Sequence, residues 1–210
     1  MRIVSRLLAL IAAAALVAQP AAAQSILRDA ETEALLHDMA APLITAAGLN
    51  PNNVDVVVIN DSSLNAFVAS GQTVYIHSGL LNAASTANEV QGVIAHELGH
   101  ITGGHVINDG GSKAAGNISI LSLLTADAAG AQFLSKAGIS GRGSVEFFKK
   151  LQNMEFRYGY TRTPDNEFYR THPMTGDRIA TLQDTYERDP AWNAPLDPKL
   201  EARFQRAKAK

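Results

Sequence analysis

The chain has no cysteine among its 210 residues. That excludes disulfides and thiolate metal sites, and also the lipid anchor that bacterial lipoproteins build on a cysteine after their leader. An excess of charge of one sign is lacking too. The 18 Lys+Arg stand against 20 Asp+Glu, a formal net charge of −2, without the basic footprint of a nucleic-acid binder. Beyond the first 23 residues no apolar run is long enough to span a membrane. What is present is ordinary for a folded domain: 46% hydrophobic and 18% charged residues, a balance that suits one core rather than disorder. There is no internal repeat.

Residues 1–23 read as an export leader. Arg2 and Arg6 make a basic start, "LLALIAAAALVA" (7–18) a short apolar centre, and Ala21-Ala22-Ala23 a small-residue cleavage site before Gln24. The expectation is a periplasmic chain of residues 24–210, a single domain with no membrane span. Loss of the two arginines takes its net charge from −2 to −4.

Along the mature chain, "ILRDAETEALLHDMAAPLITAAG" (26–48) has helical spacing and ends at Gly48. "DVVVIN" (55–60) is a strand; "NAFVAS" (65–70) and "TVYIHSG" (73–79) flank Gly71-Gln72 as a hairpin. "GLLNAAS" (79–85) is a short helix. Thr86 and Glu89 form a capping box for the next helix, whose Val90, Val93, Ile94 and Leu98 make a core-facing stripe. "NDGG" (108–111) breaks the chain. Helices follow over 118–138 and 144–159, then a loop and helix over 170–188, and a charged tail helix from Pro198. The fold class is α+β, mostly helical, with a small sheet beside the helix of residues 86–101.

That helix carries "HELGHITGGH" (96–105). Four residues apart, His96 and His100 differ by about 40° around the helix and about 6 Å along it, so both imidazoles reach one ion. Neutral imidazole suits zinc. Glu97 projects beside such an ion, where a carboxylate takes a proton from the attacking water and returns it to the leaving amine. This is the H-E-x-x-H pattern of metalloproteases, and it predicts one Zn2+ per chain. His105 falls one residue short of a third histidine at position 106, which is Val106; it reads as a bracing residue. His37 and His77 have no partner pattern and read as scaffold.

The segments "NAFVASGQTVYIHSGLL" (65–81), "VIAHELGHITGGH" (93–105), "ADAAGAQFLSKAG" (126–138) and "THPMTGDRIATL" (171–182), in this order, resemble the zinc metallopeptidases of the HtpX and CAAX-prenyl-protease kind, a gluzincin family, especially their soluble periplasmic members. The resemblance spans about residues 55–185. It implies an exported zinc metalloendopeptidase with His96 and His100 as metal ligands and Glu97 as the base. It implies that the 65–76 hairpin lines the cleft, where a strand edge could pair with an extended peptide. It also puts His172 near the metal, as a further ligand or an oxyanion stabiliser. The expected partners are unfolded or misfolded envelope polypeptides and envelope assembly machinery. The repeat domain that some periplasmic relatives carry is not part of this chain.

One departure matters. The family's third ligand is the glutamate of E-x-x-A-D. Here A-D is Ala126-Asp127 and the glutamate's place is Leu123. No glutamate occurs between Glu97 and Glu146, and the short spacing reads as an internal deletion. Asp127, Asp109 and His172 are the candidate substitutes, although the matched role of Asp127 is to brace a ligand. With none of them in place, zinc binding and proteolysis should be weak. The alternative reading is then an impaired pseudo-protease that binds unfolded envelope proteins.

Overall fold

The computed structural model describes residues 25–69, 71–104, 120–158, 172 and 175–210. Helix α1 (Ala30–Ala46) starts where Asp29 accepts from Thr32 N–H and ends before Gly48, whose φ of +75° suits the residue that turns the chain away. The start falls four residues later than the periodicity suggests, because Ile26 and Leu27 are drawn to the sheet instead. Ile26 forms an antiparallel bridge with Ile59, and Leu27 N–H donates to the Val58 carbonyl at 2.9 Å.

Strands β1 (Asp55–Ile59), β2 (Ala66–Ala69) and β3 (Thr73–His77) form one sheet in the order β1-β3-β2. The hairpin pairs β2 with β3 antiparallel, Ala66 opposite Ile76; β1 lies parallel to β3, Asp55 opposite Thr73. One edge, at β1, is partly covered by residues 25–27. The other, at β2, has no strand beside it among the described residues, and β2 packs against the helix that bears the histidines.

The remaining α-helices among the described residues are α2 (Ser78–Ala83), α3 (Ala87–Thr102), α4 (Ile120–Lys136), α5 (Arg142–Tyr158), α6 (Gly176–Glu187) and α7 (Pro198–Lys208). The order matches the sequence reading, with ends moved by a few residues. In α3 the Thr86 hydroxyl caps Glu89 N–H at 3.2 Å. The return bond from Glu89 reaches Ser85 N–H at 2.9 Å, one residue before the cap, because the same carboxylate also takes Lys150 of α5 at 2.6 Å.

Helix α3 is buried on every side, not along one stripe: each residue from Ala87 to His100 is inside. Val90, Val93, Ile94 and Leu98 join the main core, each contributing about 1.5–3 kcal/mol by burial. The polar positions between them are tied down. Asn88 donates to the Ser140 carbonyl and accepts from Gly143 N–H, both at 2.9 Å, which fixes α3 to the α4–α5 loop and to the first turn of α5. Contact with α4 is closer than side chains allow. A Cβ on Gly99 would sit 2.5 Å from the Ala126 carbonyl oxygen, and one on Gly130 would sit 3.1 Å from the Ala95 carbonyl carbon. These two contacts run in opposite directions along the chain, so α3 and α4 are antiparallel.

Candidate metal centre

The close packing of α3 and α4 brings Asp127 to His96. Oδ1 of Asp127 and Nδ1 of His96 are 2.8 Å apart, a charge-assisted contact somewhat off the line of an ideal N–H···O bond. Arg178, in the first turn of α6, grips the same carboxylate with Nε at 2.5 Å and Nη2 at 2.8 Å. With Nδ1 of His96 turned to the carboxylate, Nε2 is left facing His100. The two Nε2 atoms are 3.2 Å apart.

His172 closes the group. Its ring centroid is 5.2 Å from that of His96 and 5.5 Å from that of His100. One ligand atom from each of His96, His100 and His172 lies within 4.8 Å of the others, and all three residues are buried. Glu97 lies alongside, its Oε1 3.8 Å from His172 Nε2.

The donor set fits zinc. Two nitrogens each bound at about 2.0–2.1 Å in a tetrahedron lie about 3.3 Å apart, close to the 3.2 Å between His96 and His100. Glu97 gives a second sign. Its carboxyl is buried, and Oε1 has no hydrogen-bond partner among the described residues. An isolated buried carboxylate is costly unless a cation or a proton compensates it.

The electrostatics agree. Burial pushes Glu97 up to about 8, with only partial relief from the Arg178 charge. Burial also pushes His96 down, against the pull of Asp127; it is therefore held neutral, the form that binds a metal. Burial opposes ionisation of Asp127 as well, but the bonds from Arg178 and His96 hold it well below the usual carboxylate range.

The sequence-predicted residues divide clearly. His96, Glu97, His100 and His172 come together. Asp127 is engaged with His96 and Arg178, the bracing role the resemblance implied, and so does not take the missing ligand's place. Leu123, one helical turn before Asp127, is buried, and α4 still packs closely on α3. His77 binds Ser63 at 2.7 Å and His37 lies exposed beside Asp38, both outside the cluster. His105 and Asp109 lie outside the described residues. Arg178 was missed by sequence reasoning. It sits in a matched segment, but nothing local to it points 51 residues back to Asp127.

A model of peptidase family M48 matches residues 27–124 and 113–186, more than half of the chain. The two matches overlap across the stretch where the glutamate is missing. Among similar proteins is one of Vibrio cholerae named as a beta-barrel assembly-enhancing protease, 25% identical over 223 residues, covering 88% of this chain and 45% of that one. Metalloprotease LoiP of Escherichia coli is 28% identical over 152 residues, 70% of this chain and 57% of its own. Mitochondrial metalloendopeptidase OMA1 of Saccharomyces cerevisiae is 25% identical over 159 residues, 61% and 46%. The chain spans about half the length of the curated relatives it matches. With the H-E-x-x-H helix, its bracing aspartate and the small sheet in place, the chain belongs to peptidase family M48.

Proposed function

We propose that the protein is a zinc metalloendopeptidase whose metal is held by three histidines, His96, His100 and His172. The observation that carries this is the convergence of those three buried side chains beside Glu97. The pseudo-protease reading rested on a missing donor; with His172 beside the other two, nothing favours it.

Bound zinc supplies Lewis acidity at the scissile carbonyl and makes water acidic enough to attack at neutral pH. The chain's own residues do the rest. Glu97 takes a proton from the attacking water and passes it to the departing amine. Asp127 keeps the proton on Nδ1 of His96 and so leaves Nε2 as the donor. The edge of β2, beside α3, offers main-chain groups to an extended substrate. Unfolded envelope polypeptides are the substrate class proposed, with envelope assembly machinery as a partner. Support comes from the leader-like residues 1–23 and from the Vibrio cholerae relative's printed name. No helix among the described residues is long and apolar enough to cross a membrane.

The test is metal content and cleavage together. Purified protein should carry one zinc per chain and cut an unfolded protein substrate. A chelator should abolish the cutting and added zinc should restore it. Protein that holds no zinc at micromolar metal and cuts nothing contradicts the proposal. Export is checked separately, by an intact mass that begins at Gln24.

A further inference from the structure

Arg178 is the one buried cation at the metal centre among the described residues, and the reaction as described gives it no task. Its side chain is 5% exposed. Its guanidinium lies 5.4 Å over the ring of Phe148, which in turn stands edge-on to His96 at 5.8 Å. Two of its bonds go to Asp127, one to each carboxylate oxygen. A lone carboxylate can turn about its terminal torsion. A two-point grip from a planar guanidinium fixes that plane, and with it the direction in which Oδ1 meets Nδ1 of His96.

The position of Arg178 in the chain adds a second point. Thr175 caps α6 by accepting from the backbone N–H of Arg178 at 3.2 Å. His172 lies three residues before that cap. One short stretch, 172–178, thus carries both a donor and the group that steadies the brace of another.

We propose that Arg178 is a positioning residue for the metal centre: acting through Asp127, it sets the tautomer and ring orientation of His96, from the same stretch that delivers His172. This rests on the three-histidine reading above. When α6 docks, it therefore steadies one of the three donors through Asp127, and His172 lies four residues ahead of that helix.

The experiment compares metal-free and zinc-titrated full-length mature protein. In Arg178→Met, zinc affinity measured by chelator competition should fall tenfold to a hundredfold, the usual cost of losing a bracing partner. Arg178→Lys keeps the charge without the fork and should recover only part of that loss. Imidazole nitrogen NMR of the zinc-free protein should show His96 protonated at Nδ1 in the wild type and a mixed tautomer in Arg178→Met.

Arg178→Met strands a buried carboxylate and could fail to fold, so the double variant Asp127→Asn/Arg178→Met is the control. It removes both charges. Recovered thermal stability with zinc affinity still low, but no lower than in Asp127→Asn alone, supports positioning, because Arg178 then acts only through Asp127. Recovery of both stability and affinity means that Arg178 only neutralises Asp127, and overturns the proposal. So does Arg178→Met with affinity and His96 tautomer unchanged beside a wild type that binds zinc tightly. A wild type that takes up no zinc overturns the three-histidine reading itself, and this proposal with it.

Discussion

Helices α3 and α4 meet across the same centre, yet they bring different things to it. α3 contributes two imidazoles and a carboxylate from five consecutive positions, all buried and all turned to one place. α4 packs on α3 closely enough to put Asp127 against His96, but at the position where the resemblance expects a donor it carries Leu123. On the proposed three-histidine reading, the donor that α4 lacks stands instead ahead of α6, at His172. The difference teaches that a metal centre constrains where donor atoms lie, not which element sends them. α4 has kept its framework duties, the close backbone approach and the brace, without the ligand.

The largest effect belongs to α3. Glu97→Gln keeps the shape and removes the base, so cleavage should fall about 10²- to 10⁴-fold with zinc content unchanged. Full turnover by this variant would mean that proton transfer does not pass through Glu97.

The next test moves the donor from one element to the other. His172→Ala should weaken zinc binding by more than the tenfold to hundredfold that losing a brace costs, because a ligand itself is gone. Adding Leu123→Glu to that variant should restore zinc binding, since position 123 shares the α3-facing side of α4 with Asp127. If His172→Ala binds zinc like the wild type, the third donor is elsewhere. If the double variant does not recover, Leu123 does not face the metal.

This contrast also explains what the sequence made legible. The adjacency of His96 and His100 on α3 could be read because a helix converts a spacing of four residues into adjacency. The capping threonine, the hairpin around Gly71-Gln72 and the order of helices were legible for the same reason: each depends on near neighbours. The parallel pairing of β1 with β3 was not, because the partner strands are 18 residues apart in register and no local pattern encodes which edge is chosen. Likewise the grip of Arg178 on Asp127 spans 51 residues. His172 stood between these cases. Its nearness to the centre followed from a resemblance, but its convergence with both α3 histidines needed the fold.

The two carboxylates at the centre differ in charge behaviour, and pH should expose this in zinc-free protein. Burial raises Glu97 from its ordinary 4.5 to about 8. Between those values the folded chain holds a proton that the unfolded chain has lost. The resulting stability is fully present below about 4.5 and is lost as pH rises through about 8. Burial lowers His96, so its contribution runs the other way and is lost as pH falls below about 6.5. The clear window is therefore about pH 6.5 to 8.5, where urea unfolding should show a loss of about 2 kcal/mol. Glu97→Gln should flatten that slope, and so should zinc, whose charge favours the carboxylate. A flat wild-type profile without zinc would show that Glu97 is not protonated in the folded chain.

The smallest effect concerns the contact that lets α3 and α4 share the centre at all. At Gly99 an added Cβ would lie 2.5 Å from the Ala126 carbonyl oxygen and 2.8 Å from the Ala126 Cα. Both are backbone atoms that cannot swing aside, so α4 must move away. At Gly130 the nearest atoms, the carbonyl carbon and oxygen of Ala95, are each at 3.1 Å, where a shift of a few tenths of an ångström suffices. Alanine also gains roughly 0.5–1 kcal/mol over glycine within a helix. Overpacking costs about 1–3 kcal/mol, so Gly99→Ala should be destabilising by about 1–2 kcal/mol after that gain, and Gly130→Ala close to neutral. Zinc affinity sharpens the distinction. Moving α4 at Gly99 draws Asp127 from His96 and should weaken binding, whereas Gly130→Ala should leave it in place. Equal stabilities for the two variants in denaturant unfolding would mean that the helices are less tightly apposed at Gly99 than their backbones indicate.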